Sequence, residues 1–296
     1  MGSRAAWIGF DEPDDDMVKP PPDIRARLVI VGALDDGRVD PVETALVLAS
    51  VERPGVSMEP YRRHLERLTA EAAAYADSAD GPGGLGLRVE TLAHVIARRY
   101  GYGGAENAYD DPDSTNLMRV IDRRRGLPVA LGIIYIHVAR TLGWPICGID
   151  FPARFLVRLE DDGNRVILDP FDGGRLLSAK DMRDLFKAVA GNHAELTPAH
   201  YRALDIRDVL VRLQNNIKVR LLRAGNLEEA VETVETMLLF APGMAALWRE
   251  AGLLHARLDN VPAAVAALEE YLRHGTGDPA RYRTSVLLQE LRGRLG

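Results

Sequence analysis

The chain has 296 residues, 47% of them hydrophobic, with a formal net charge of −6, one cysteine and seven histidines. That length supports one large core or two smaller ones, and the acidic balance argues against a nucleic-acid binder. A single cysteine excludes an intramolecular disulfide and a CxxC site, the histidines lack HExxH spacing, and no apolar run reaches the ~18 residues of a membrane span, so neither metal, other cofactor nor membrane contact is expected.

Residues 1–23 read as a flexible acidic and Pro-rich tail, from Asp11 through Pro20-Pro21-Pro22, too poor in apolar surface to offset its ordering entropy. The tail shows no basic-then-apolar signal pattern, and a cytoplasmic location is expected. Asp40, Pro41 and Glu43 resemble a capping box opening a helix to about Val51. The next helix puts Tyr61, Leu65, Leu68, Ala72 and Tyr75 on one face. A loop at Asp80-Gly81-Pro82-Gly83-Gly84 leads to a third helix carrying Val89, Leu92, Ile96 and Tyr100.

In the middle of the chain Ser114 is read as the cap of a short helix with Leu117, Val120 and Ile121 inward, ended by Gly126. Pro128 starts a mostly apolar and hence buried helix through Leu142, with Gly143 as its stop. Strands are expected at Ile146–Ile149, Arg154–Leu159 and Arg165–Leu168, the last two joined by the turn Asp161-Asp162-Gly163-Asn164. Ser178, with Asp181 three residues on, caps another helix.

The C-terminal third is helical and repeats. Asn226, Leu227, Ala230 and Val231 recur as Asn260, Val261, Ala264 and Val265, at the tetratricopeptide (TPR) period of about 34 residues. Gly252 and Ala264 are small where helices approach, and Trp248 and Leu268 fill the space beside them. Two repeats are fewer than a free-standing solenoid needs, so the array is expected to lean on the preceding domain. The expected division is residues 1–23 (tail), 24–190 (helical region and core) and 191–296 (TPR-like region).

Four stretches carry a more specific signal: Ile121-Asp122-Arg123-Arg124-Arg125-Gly126-Leu127-Pro128, Leu142-Gly143-Trp144-Pro145, Phe151-Pro152-Ala153-Arg154-Phe155-Leu156-Val157-Arg158, and Leu168-Asp169-Pro170-Phe171-Asp172-Gly173-Gly174-Arg175-Leu176-Leu177-Ser178. In order and spacing they resemble the bacterial transglutaminase-like proteins of the SirB type, and the flanking regions extend the likeness over residues 25–294. The resemblance implies an α+β, mostly helical fold: N-terminal helices packed on a small papain-like core with a short antiparallel sheet, followed by TPR-like helical pairs. It also implies where Cys–His–Asp chemistry would sit. The cysteine would occupy the first turn of the central helix, where the helix dipole and a histidine lower its pKa, and an aspartate would orient that histidine. At those positions this chain has Pro128, Arg154 and Asp169. The SirB-type relatives generally lack the cysteine too, but they carry Pro-Gly-His-Phe-Leu where this chain reads Pro152-Ala153-Arg154-Phe155-Leu156. Arginine stays protonated and cannot act as a general base. Asp169 has two readings, a turn-stabilising residue before Pro170 and a remnant of the triad. Arg154 and Asp169 are expected on neighbouring antiparallel strands, joined as an ion pair.

Cys147 follows Pro145 in an apolar strand-like run and reads as a buried hydrophobe rather than a nucleophile. His137, mid-helix, faces either a cleft or solvent. Arg123–Arg125 reads as a charge complement to a helix C-terminus or as a contact for an acidic peptide. GxSxG, P-loop and GxGxxG patterns are absent, and Tyr102-Gly103-Gly104 is not coupled to a helix as a phosphate loop would be. The expected function is therefore that of a pseudoenzyme: a non-catalytic protein- or peptide-binding or scaffolding module, with Arg154, Asp169, Arg124 and Trp248 as candidate binding residues. Its fixed cation suits an acidic peptide or a C-terminal carboxylate. The alternatives are a hydrolase or acyl-transfer enzyme with an unrecognised constellation, and a structural subunit of a larger complex.

Overall fold

The computed structural model describes residues 20–78, 84–152, 154–274, 277 and 279–295. Most of the expected tail, four residues of the Gly-Pro loop (80–83) and Ala153 lie outside them. The described residues form twelve α-helices and a five-stranded antiparallel sheet, an α+β, mostly helical protein. The chain divides into two compact units, Pro21–Ile217 and Lys218–Gly296.

In the first unit α1 (Pro22–Gly32), α2 (Pro41–Val51) and α3 (Glu59–Asp77) each turn an apolar face to the core, and Leu28, Leu46, Leu65 and Leu68 on those faces are all essentially inaccessible to solvent. Asp40 caps α2, accepting from Val42 N and Glu43 N at 2.9 Å each. The expected capping box is incomplete, because the Glu43 carboxylate turns instead to Arg27 of α1 and accepts two bonds from Arg62 of α3. The Arg62 hydrogen bond, reinforced by the charges of Arg62 and Arg27, holds the Glu43 pKa down against burial. One carboxylate thus ties three helices together.

α4 (Leu85–Leu92) continues into a π-helical turn, Ala93–Arg99, that buries Val95 and Ile96. α5 (Leu117–Arg123) is capped by Asn116, whose side chain accepts from Arg119 N, and not by the expected Ser114, which lies in a preceding 3₁₀ turn. Its stop is likewise not Gly126 but Arg124, which takes the left-handed conformation (φ 60°). Gly126 is glycine for another reason: a Cβ there would meet both Val120 methyls at 2.8 Å. α6 (Pro128–Thr141) starts at Pro128 as expected, is buried along most of its length, and gives way to Gly143 at φ 71°.

The sheet is ordered β4-β3-β2-β1-β5, with β1 Ile146–Ile149, β2 Leu156–Asp161, β3 Asn164–Asp169, β4 Arg175–Leu177 and β5 Ala203–Leu204. Asp162 and Gly163 close the β2–β3 hairpin with positive φ, the backbone of the favoured two-residue turn. β2 begins two residues later than the alternation suggests. Val157 pairs with Leu168, so the residues before Leu156 would lie opposite Pro170, which has no N–H to extend the ladder. α7 (Ala179–Ala190) opens with the expected Ser178–Asp181 capping box. α8 (Ile206–Ala224) is capped from afar: Asp36 accepts from Ile206 N at 2.8 Å and Arg207 N at 3.0 Å.

In the second unit α9 (Leu227–Phe240), α10 (Ala245–Arg257), α11 (Val261–His274) and α12 (Arg281–Gly293) are helical repeats. A Cβ on Gly252 would sit 2.5 Å from Leu268 Cδ2 and 3.2 Å from Ala264 O, which is why the facing helices α10 and α11 require glycine there. Trp248 is half-buried and donates its indole N–H to Pro242 O at 2.8 Å.

His64 gives the first unit a titration. Its Nε2 lies 2.9 Å from Tyr102 Oη and 3.0 Å from Arg124 Nη1. Burial, followed by the charges of Arg124 and Arg67, lowers its pKa from 6.5 to about 4. Between those values the unfolded chain binds a proton at His64 that the folded chain refuses, so stability falls as pH falls through the window. Urea midpoints measured from pH 7 to pH 4 are expected to drop, and His64→Gln to flatten the drop; an equal slope in the variant would contradict this.

Candidate functional site

Asp169 ends β3 and is completely buried. Its Oδ1 accepts from Phe171 N (3.0 Å) and Asp172 N (3.4 Å), capping the 3₁₀ turn Pro170–Asp172. Its Oδ2 accepts from Arg154 Nη1 at 2.7 Å, and the Arg154 side chain is 27% exposed. The aspartate therefore serves the turn and the ion pair at once. Arg154 does so from the segment before β2, not from within a strand as expected.

An aromatic ring, Phe171, helps hold the arginine in place. Its guanidinium carbon lies 4.9 Å from the Phe171 ring centroid, within cation–π range. Phe171 is itself seated against Gly104, where any Cβ would come within 2.4 Å of the ring, and Gly104 N donates to Phe171 O at 2.8 Å. This is the structural role of the Tyr102-Gly103-Gly104 segment. Tyr109, 50% exposed, packs 6.3 Å from Phe171, centroid to centroid. From below, Tyr135 of α6 approaches so closely that a Cβ at Gly174 would lie 2.7 Å from its hydroxyl. Burial, then the Asp169 charge, pushes the Tyr135 pKa up, so it stays neutral.

Phe155 links this turn to the rest of the core. Cβ atoms at Gly132 of α6 and Gly148 of β1 would fall 2.3 and 2.6 Å from its ring. Arg212 of α8 lies over the ring at 5.7 Å and donates to Phe151 O at 2.7 Å. Sequence reasoning did not single out Tyr109, Phe171 or Arg212. Each is brought in by contacts distant in sequence, and only the Phe-Leu and Asp-Pro-Phe motifs hinted at the region.

Pro128, buried at the first position of α6, offers neither nucleophile nor proton. Arg124 lies elsewhere in the unit. Its Nη1 bonds Tyr102 Oη and Ile121 O, and the guanidinium lies 4.8 Å from the Tyr102 ring centroid. His137, mid-way along α6, is mostly buried, and burial lowers its pKa. Among the described residues no group of three or more His, Cys, Asp or Glu is placed to hold a metal, and no helix is long and apolar enough to cross a membrane.

Cys147 sits on β1, opposite Arg158 of β2, and packs against the cluster around Ile149, Phe151 and Leu156, but it is only partly buried there, less than the buried hydrophobe expected. Burial raises its thiol pKa above the ordinary value, and the charges acting on it belong to Arg158, Glu160 and Arg140. Among the described residues no helix N-terminus or histidine activates it. Ellman's reagent at pH 7.5 is expected to label it at least about tenfold more slowly in the native chain than after unfolding; equal rates would contradict the burial.

Residues 59–215 match the transglutaminase-like superfamily and residues 217–289 the tetratricopeptide repeat. The chain is 29% identical to a UPF0162 protein of Xylella fastidiosa, over 82% of this chain and 86% of the relative. A UPF0162 protein of Vibrio cholerae is also 29% identical, over 81% and 87%, and UPF0162 protein YchA of Escherichia coli is 28% identical, over 65% and 71%. Among solved structures, menin, whose crystal structure is described as revealing the binding site for Mixed Lineage Leukemia (MLL) protein, is similar with a TM-score of 0.38 and 11% identity, over 84% of this chain and 69% of menin. The matched core spans more than half of the chain and carries the Asp169 turn: the protein belongs to the transglutaminase-like superfamily, with a tetratricopeptide region following its core.

Proposed function

We propose that this chain is a non-catalytic peptide- or protein-recognition module, in which the region that would house Cys–His–Asp chemistry serves for binding. The reading rests chiefly on one observation: a permanently protonated arginine, Arg154, is bonded to the buried Asp169 where the resemblance calls for a general base. Pro128 at the nucleophile position and the unactivated Cys147 support it. The tetratricopeptide region, which holds Trp248, supports a protein partner, since such repeats generally mediate protein–protein interaction. The SirB-type assignment rests on the order of the four motifs. We assign the protein to the bacterial cytoplasm, where its single thiol stays reduced.

The test pairs binding with chemistry on the full chain. On an array of immobilised dodecapeptides the native protein is expected to bind a defined subset, and Arg154→Gln, shown to be folded by circular dichroism, to lose that subset. In parallel, dansylcadaverine incorporation into casein is expected to stay at background. Incorporation that disappears in Cys147→Ser would establish an enzyme and overturn the proposal.

A further inference from the structure

Burying a cation is costly unless it is paired, and the region around Tyr109 holds two partly buried guanidinium groups. Arg154 uses Nη1 on Asp169 and makes no other hydrogen bond among the described residues. Of the Asp169 oxygens, Oδ1 serves the Phe171 and Asp172 amides, which leaves Oδ2 for Arg154. Arg212 is 27% exposed at its side chain, and its hydrogen bond goes to a neutral carbonyl, Phe151 O. The carboxylate beside it, Asp150, is 3.8 Å from Nη1 and is closer to Arg202, at 3.0 Å. Burial lowers the Arg212 pKa, as expected of a cation with too little compensating charge.

Tyr109 stands in the field of both groups: the charges of Arg154, Asp169 and Arg212 all act on its hydroxyl. That hydroxyl makes no hydrogen bond among the described residues, and half of the residue faces solvent. The cluster thus presents guanidinium N–H donors, a phenol O–H donor and an aromatic wall of Tyr109 and Phe171. Planar N–H forks match the two oxygens of a carboxylate better than any other common anion in proteins except phosphate.

We infer that Arg154, Arg212 and Tyr109 form a carboxylate-recognition subsite, which takes an acidic side chain or the chain terminus of a bound peptide. This rests on the peptide-binding reading above and adds the chemistry of the ligand. The carboxylate accepts from Arg154 and from Tyr109 Oη, which share the Phe171 ring, and Arg212 adds its charge, while the adjacent apolar part of the peptide lies on the exposed ring. Asp169 positions Arg154 and does not touch the ligand.

The test is affinity selection on the full-length protein from three random hexapeptide pools. One has free C-termini, one is amidated, and one is amidated and lacks Asp and Glu. Retention is expected to fall at least about tenfold from the first or second pool to the third, and to weaken with added salt. Loss at the first step identifies the chain terminus as the source of the carboxylate; loss at the second identifies an acidic side chain. Arg212→Gln and Tyr109→Ala are each expected to reduce retention about fivefold or more. Tyr109 is half-exposed, so its variant stays informative if Arg212→Gln fails to fold. Equal retention of all three pools, unchanged by Tyr109→Ala, would overturn the inference and leave the peptide-binding reading standing. No retention of any pool above a serum-albumin column would overturn both.

Discussion

Asp169→Ala is expected to lower the unfolding free energy by about 3–5 kcal/mol, the usual cost of removing one partner from a buried ion pair. Three losses coincide. Arg154 loses its carboxylate while still about three-quarters buried. The Phe171 and Asp172 amides lose their acceptor, which loosens the turn that seats Phe171. A vacancy also opens at a fully buried position. Asp169→Asn keeps a side-chain oxygen for the turn but removes the charge, so it is expected to fall between Ala and the native chain. Arg154→Ala is expected to cost less, about 1–3 kcal/mol, because the partly exposed arginine leaves a space that water can enter to solvate the carboxylate left behind. Urea unfolding of the three variants, with the Arg154→Ala/Asp169→Ala double variant to close the cycle, measures these terms. Equal costs for Asp169→Ala and Asp169→Asn would mean that the turn bonds contribute nothing. A coupling near zero would mean that the ion pair does not.

The sequence made the frame of this site legible where a local physical rule applied. Pro128 and Gly143 bound the buried helix α6, because proline suits a helix start and glycine the left-handed residue after its end. Asp162-Gly163 closes a hairpin, and the recurrence of Asn226 at Asn260 sets the helical repeat. The Arg154–Asp169 pair followed from a motif comparison, and the structure places the two side chains in direct contact. The parts that escaped depend on partners far apart in the chain. Asp36 caps α8 across 170 residues, fixing the helix that carries Arg212. Gly104 is required by the Phe171 ring, and Tyr109 is drawn in by the same ring. No periodicity encodes such contacts. Some local rules also competed. Ser114 and Asn116 are both good caps two residues apart, and Asn116 prevails because its amide group also donates to Ala49 O (3.0 Å) and the Glu52 carboxylate (2.9 Å), anchoring α5 to α2. β4 and β5, three and two residues long, are too short for alternation to register.

Phe155→Ala is expected to be as damaging as the loss of Asp169, at about 3–5 kcal/mol, the range for truncating a buried aromatic. The ring is 2% exposed and lies against two glycines, Gly132 of α6 and Gly148 of β1, so helix and sheet approach each other around it. Arg212 covers it at 5.7 Å, so truncation also loosens that side chain over the candidate site. At Gly132 the same packing has a sharper consequence. Alanine normally favours a helix over glycine by about 1 kcal/mol, yet Gly132→Ala places a methyl within 2.3 Å of the ring and is expected to cost about 1–3 kcal/mol through overpacking. In a Phe155→Ala background the obstacle is gone, the methyl enters the vacancy, and the same substitution is expected to become neutral or stabilising. Urea unfolding of the two single variants and the double variant tests this change of sign. If Gly132→Ala cost the same in both backgrounds, Phe155 would not be the residue that requires glycine in α6, and the close approach of helix and sheet at this point would need another cause.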